Sequence, residues 1–178
     1  MSTSTPCPLL INGEWLRPAA LATSPVFNPS TGEVIGAVPL AGAAEVDAAV
    51  QAAHAAFPAW AETPVVDRTR IMFRYRTLVE KHFDEIARTI SREHGKTYAE
   101  SRGDLFRGIE AIEYACGAPT LMMGDMVTNI ARSVDCETTR YPLGVCVGIT
   151  PFNFPAMIPL WMFPLALVTG NTFVLKPS

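Results

Sequence analysis

The run Leu143-Gly-Val-Cys-Val-Gly-Ile149 ("LGVCVGI") and the run Thr172-Phe-Val-Leu-Lys176 ("TFVLK") carry the plainest structural signal in the chain. Both are short, rich in β-branched residues and uncharged up to Lys176. The first reads as a central strand buried on both faces and the second as another buried strand. Between them, Ala156–Thr169 has the length and composition of an apolar helix, and Gly170-Asn171 supplies a turn. Strand, helix and strand in this order predict a β-α-β unit with parallel strands, the start of a doubly wound sheet. The expected fold class is therefore α/β.

The preceding residues alternate between surface β elements and helices. Residues 1–8 are polar and expected to be disordered. Leu9–Leu16 alternates around Asn12-Gly13, a strong hairpin signal. Val26–Ala41 repeats strand, Pro-Ser-Thr-Gly turn and strand. An amphipathic helix is expected from Ala43 to Trp60, ending near Pro58. A second begins after Thr63-Pro64, with the stripe Ile71, Met72, Tyr75, Leu78, Val79, Phe83, Ile86 and Ile90, and runs to Gly95. A third covers Tyr98–Cys116. Ser133–Pro142 alternates and carries charge, as a solvent-facing strand does. The expected organisation is 1–132 as hairpins and helices, 133–142 as a separate strand, and 143–178 as the first β-α-β unit.

Composition narrows the function. The chain has 178 residues, one domain or a large piece of one, and at 49% hydrophobic and 17% charged it can bury a core. Net charge is −3 without a basic tract, which argues against nucleic-acid binding. Cys7, Cys116, Cys136 and Cys146 lack paired spacing, so neither a metal site nor a disulfide framework is expected. No secretory or Arg-rich leader is visible, and a cytoplasmic location is the plain expectation. Phe154–Gly170 is uncharged, but it is shorter than the roughly 20 residues a spanning helix needs. It also holds Pro155, Pro159 and Pro164, so it reads as a core helix and no membrane partner is expected.

The loop after the first strand, Thr150-Pro-Phe-Asn-Phe-Pro155, opens onto the edge where ligands of such sheets gather. It lacks G-x-G-x-x-G, so a glycine-rich phosphate cradle is not supported. It presents one amide side chain, Asn153. That amide can donate to a developing oxyanion, or it can cap the following helix, which spacing alone favours. On the third helix, Leu105, Ile109, Ile112 and Cys116 share one face and Arg107 projects from the other. By periodicity Arg107 is an exposed arginine paired with Asp104 or Glu110. Lys176 reads as a solvated lysine at a strand end.

The segment "GITPFNFPAMIPLWMFPLALVTGNTFVLKPS" closely resembles the aldehyde dehydrogenase superfamily. With "LINGEW", "NPSTGEVIG", "EHGKT", "RGIEAIEYACGAPTLMMGD" and "RYPLGV", nearly the whole chain resembles its CoA-acylating methylmalonate-semialdehyde dehydrogenase branch. The resemblance implies that Asn153 donates to the thiohemiacetal oxyanion. It implies that Thr150 and Phe152 lie beside NAD and that Lys176 bonds the adenosine ribose. It gives Arg107 the substrate carboxylate. It further implies NAD as cofactor, CoA as co-substrate, a malonate or methylmalonate semialdehyde as substrate and acetyl-CoA or propanoyl-CoA as product. The family is oligomeric, which implies a homodimer or homotetramer with 133–142 in the subunit contacts.

The family's catalytic thiol and general-base Glu lie beyond Ser178. None of the four cysteines here sits beside an activating His, and His54, His82 and His94 read as solvated or structural. The expectation is an N-terminal fragment of a longer enzyme, inactive and aggregation-prone alone, with apolar surface bare along its last strand. Two alternatives are a fragment of a non-acylating semialdehyde dehydrogenase and a non-catalytic remnant that assembles with an intact homologue.

Overall fold

A computed structural model describes residues 6–17 and 21–178. Strands β1 (Leu9–Ile11) and β2 (Glu14–Leu16) pair antiparallel, with Leu9 opposite Leu16. Asn12 and Gly13 have φ of 53° and 78°, the two positive values that a tight two-residue hairpin requires. Strands β3 (Thr23–Phe27) and β4 (Val34–Pro39) form the second expected hairpin. Of the residues expected to be disordered, 1–5 lie outside the described residues. Pro6 and Cys7 are held instead: Arg17 Nη1 donates to the Pro6 carbonyl at 2.7 Å, and the Cys7 amide donates to Ala37 at 2.9 Å.

The helical part departs from its sequence pattern at three places. Helix α1 (Ala43–Glu62) passes through Pro58 rather than ending there. Its last turn is anchored from outside, because the Trp60 indole donates to the Leu167 carbonyl at 3.0 Å. The second expected helix is two, α2 (Val65–Lys81) and α3 (Phe83–His94), broken at His82. There the backbone turns to φ −101°, ψ 17°, and no Gly or Pro marks the break. The stripe is also narrower than expected, since Met72, Val79 and Ile90 are buried whereas Ile71 and Leu78 are exposed. Helix α3 ends as anticipated at Gly95, in the left-handed region at φ 86°.

Helix α4 (Tyr98–Cys116) begins with a reciprocal cap. The Glu100 amide donates to the Thr97 hydroxyl at 3.2 Å, and the Thr97 amide to the Glu100 carboxylate at 2.9 Å. A short α5 (Ala118–Leu121) follows. The expected strand over 133–142 is one arm of a hairpin, β5 (Met126–Ala131) with β6 (Val134–Glu137), exposed along its whole length. Arg132 and Ser133 form its turn.

Strands β7 (Val145–Ile149) and β8 (Thr172–Lys176) are parallel and joined by α6 (Met157–Val168), the expected β-α-β unit. One face of β7 is largely bare towards its C-terminal end. Val147 and Ile149 are 60% and 72% exposed, which corrects the reading of β7 as buried on both faces. Bare apolar surface along this sheet was expected, and it lies on β7 as well as on β8, where Leu175 is 37% exposed.

The core sits where α2, α3 and α6 meet α4. Leu105, Ile109, Ile112 and Cys116 of α4 pack with Met72, Val79, Ile90, Leu160 and Val168. Gly108 permits the close approach of α6, since a Cβ there would lie 2.5 Å from Leu160 Cδ1 and 3.2 Å from its Cβ. Arg68, 5% exposed, ties the ends of two helices together. Its Nε donates to the Val168 carbonyl of α6 at 2.9 Å, and its Nη1 to the Ala61 carbonyl of α1 at 3.1 Å and to Thr63. Burial lowers its pKa, although a guanidinium still carries its charge. Among the described residues no helix is long and apolar enough to cross a membrane.

Two outcomes follow for stability. Gly108→Ala gains about 1 kcal/mol of helix propensity, but overpacking against Leu160 costs about 1–3 kcal/mol. Thermal unfolding should therefore show a net loss, and a raised midpoint would contradict this packing. Arg68→Leu leaves carbonyls at two helix ends without their donor and should cost on the order of 3 kcal/mol in denaturant titration.

Candidate active site

The C-terminal ends of β7 and β8 lie side by side, with Ile149 opposite Lys176. Thr150 is 4% exposed, and both its amide (3.2 Å) and its hydroxyl (3.5 Å) donate to the Lys176 carbonyl. The chain then turns away through a proline-stiffened loop. Phe152 is 75% exposed, and Asn153 and Lys176 are exposed as well. Four of the five residues singled out in the sequence thus share one edge of the sheet, where ligands of open α/β sheets bind.

The start of α6 accounts for the state of Asn153. A helix begins with amides that its own carbonyls cannot satisfy. The Met157 amide donates to Asp104 Oδ1 at 2.8 Å, Ile158 to the Phe154 carbonyl at 3.3 Å and Leu160 to the Ala156 carbonyl at 3.3 Å. Pro159 has no amide. The cap that spacing favoured for Asn153 is therefore taken by a carboxylate from another helix. Asn153 makes no side-chain hydrogen bond among the described residues, and its carboxamide is left to solvent or a ligand.

Asp104 is completely buried, and its second oxygen meets Lys96 Nζ at 3.1 Å. Lys96 also donates to the Asn153 carbonyl at 2.8 Å, and its ammonium stands 4.6 Å from the centroid of the Phe154 ring. A buried carboxylate with both oxygens engaged is a stable arrangement, whereas one without partners would be costly. Sequence reasoning missed this pair and offered Asp104 as a partner of Arg107. A signal was present: Asp104 falls with Ser101, Leu105 and Gly108 on the buried stripe of α4, where a carboxylate requires an explanation.

Arg107 is exposed and pairs with neither Asp104 nor Glu110. It lines an open surface depression with Phe106, Glu110, Ala111 and Trp161. Trp161 lies one helical turn inside α6, so the helix that the Asn153 loop leads into supplies one wall of this depression. An unpaired guanidinium beside an indole suits a carboxylate-bearing molecule.

All four cysteines are free thiols. Burial pushes the Cys116 thiol up, only partly opposed by the Arg76 charge. Cys7 and Cys136 are exposed and free, and Cys146 is half-buried in β7. No cluster of His, Cys, Asp and Glu able to hold a metal exists among the described residues. The donor set at the sheet edge fits the ribose end of a dinucleotide. Lys176 is exposed with no carboxylate partner, and the Phe152 ring is exposed in the loop. The Thr150 amide is engaged by Lys176, so this edge offers no cradle for phosphate at that position.

Comparison with known proteins agrees with this architecture. The model of the aldehyde dehydrogenase family matches residues 15–178. Malonate-semialdehyde dehydrogenase 1 of Geobacillus kaustophilus is 54% identical over 168 residues, 94% of this chain and 34% of that protein. The human mitochondrial methylmalonate-semialdehyde/malonate-semialdehyde dehydrogenase [acylating] is 49% identical over 170 residues, 96% of this chain and 32% of that protein. The crystal structure of methylmalonate-semialdehyde dehydrogenase from Oceanimonas doudoroffii superposes with a TM-score of 0.95 at 49% identity. It covers 98% of this chain and 36% of that one. The chain spans about a third of the length of the curated relatives it matches. With the β-α-β unit, the proline-stiffened Asn153 loop and a family match over nearly all its residues, the chain belongs to the aldehyde dehydrogenase family.

Proposed function

We propose that the chain is the N-terminal part of an NAD-dependent, CoA-acylating dehydrogenase of malonate or methylmalonate semialdehyde. The observation that carries the proposal is the freedom of the Asn153 carboxamide: every amide in the first turn of α6 is satisfied without it. An amide donor held at the C-terminal edge of a sheet, with no protein partner, is suited to an oxygen that gains charge during reaction. The names of the similar proteins from Geobacillus kaustophilus and Oceanimonas doudoroffii support the substrate class. A related structure from Sinorhizobium meliloti, 41% identical, is complexed with NAD, which supports the cofactor.

In this reading each residue has a defined task. Asn153 donates to the carbonyl oxygen of the aldehyde as negative charge develops there. Arg107 grips the substrate's carboxylate, for which its planar fork is suited. Lys176 bonds the ribose hydroxyls of NAD, and Thr150 and Phe152 form the surface against which the cofactor lies. NAD, when bound, supplies the acceptor for the hydride. The nucleophilic thiol and the general base come from the part of the relatives' length that this chain does not span. CoA then takes the acyl group, giving acetyl-CoA or propanoyl-CoA with loss of the carboxyl carbon.

The remaining assignments complete the picture. Residues 1–132 and 143–178 contribute to the NAD-binding domain. The exposed segment 133–142, with its partner strand β5, serves contacts between copies in a dimer or tetramer. The protein works in the cytoplasm on small molecules, without nucleic-acid or membrane partners.

In the full-length enzyme, Asn153→Ala should lower kcat about 10²–10³-fold, as loss of one oxyanion donor does, with little change in KM for NAD. Unchanged kcat would remove the basis of this reading. Arg107→Met should raise KM for the semialdehyde about tenfold or more while sparing propanal, which has no carboxylate to grip. Equal effects on both aldehydes would assign Arg107 a structural task. Product formation without CoA would point to the non-acylating alternative.

A further inference from the structure

The contacts of Lys96 are more specific than a surface cation requires. Its side chain is only 11% exposed, and its ammonium meets three groups: Asp104 Oδ2 at 3.1 Å, the Asn153 carbonyl at 2.8 Å and the face of Phe154 at 4.6 Å. Asp104 in turn holds the first amide of α6. Among the described residues, the bond from Lys96 is the single hydrogen bond that ties Phe152 and Asn153 to the rest of the protein. The direction of the Asn153 carbonyl sets that residue's ψ. With α6 held on one side and the carbonyl on the other, the Asn153 backbone is tethered at two points, which narrows the positions from which its carboxamide starts.

We propose that Lys96 and Asp104 are positioning residues that aim the Asn153 carboxamide, Asp104 by fixing the start of α6 and Lys96 by pinning the Asn153 carbonyl. The inference rests on the reading of Asn153 as the oxyanion donor. Neither side chain touches the reacting atoms in this arrangement, and both act through the loop. The length of Lys96 lets one charge bridge a buried carboxylate on α4 and a carbonyl on an exposed loop, two groups that belong to different elements. A methionine at 96 would keep most of the stem's packing but make neither bond.

The test uses the full-length enzyme. Lys96→Met should lower kcat about tenfold or more with KM for NAD within twofold, and Lys96→Arg should recover most of the loss. Placed on Asn153→Ala, Lys96→Met should cost nothing further, because its effect passes through a side chain already absent. Chymotryptic cleavage after Phe152 should quicken about tenfold in Lys96→Met while amide exchange in the core of α4 stays slow. Three results would overturn the inference: kcat unchanged in Lys96→Met, its full effect persisting on Asn153→Ala, or loop cleavage unchanged. If Asn153→Ala alone leaves kcat intact, the functional reading fails, and the cleavage measurement alone then decides whether Lys96 holds the loop. Asp104→Asn keeps an acceptor for the Met157 amide but releases Lys96, and it should reproduce the loop cleavage of Lys96→Met. Cleavage at the wild-type rate in Asp104→Asn would count against the bridge.

Discussion

Helix α6 is held at both ends by buried charges that are not its own. Its sequence, Met157–Val168, has no acidic residue in the first turn and no basic residue in the last. Asp104 of α4 supplies a carboxylate at its N-terminus, and Arg68 of α2 supplies a guanidinium at its C-terminus. The signs match the helix dipole, negative charge at the amide end and positive charge at the carbonyl end. An all-apolar helix can slide or rotate on a core with little penalty, because hydrophobic contact is not directional. Two buried, directional bonds remove that freedom.

The position of the site follows from this constraint. Fixing the start of α6 fixes the end of the Thr150–Ala156 loop, and β7 fixes its beginning. Prolines at 151 and 155 limit what lies between. Because Asp104 takes the capping task, Asn153 is released from the one structural use that its location would otherwise give it. The same helix carries Trp161 to the depression where Arg107 stands. Gly108 keeps α4 and α6 close enough for the Asp104 bond to form.

Much of this was legible from residue patterns, and the failures have physical causes. The Asn12-Gly13 hairpin, the left-handed Gly95 and the parallel β7-α6-β8 unit each rest on a local rule that tertiary contacts did not override. The break at His82 was invisible because the stripe Val79, Phe83, Ile86, Ile90 keeps helical spacing across it. Pro58 is a stop signal by sequence, but Trp60 and Arg68 anchor the turn beyond it. Strand β5 escaped notice because Asn129 takes a positive φ of 54° and the pairing shifts between Val127 and Ala131, so the expected alternation is lost. Among the proposed site residues, the loop's place after a strand and the family resemblance single out Asn153, Thr150, Phe152 and Lys176. Lys96 and Asp104 are not singled out, because their meaning lies in contacts between residues 8 to 57 positions apart.

The most direct measurement is a crystal structure of the complete enzyme with NAD and a semialdehyde bound. The account predicts the Asn153 Nδ2 within hydrogen-bond distance of the aldehyde oxygen, with Asp104 still on the Met157 amide and Lys96 still on the Asn153 carbonyl. An Asn153 side chain folded onto the amides of α6, with Asp104 detached from them, would contradict it.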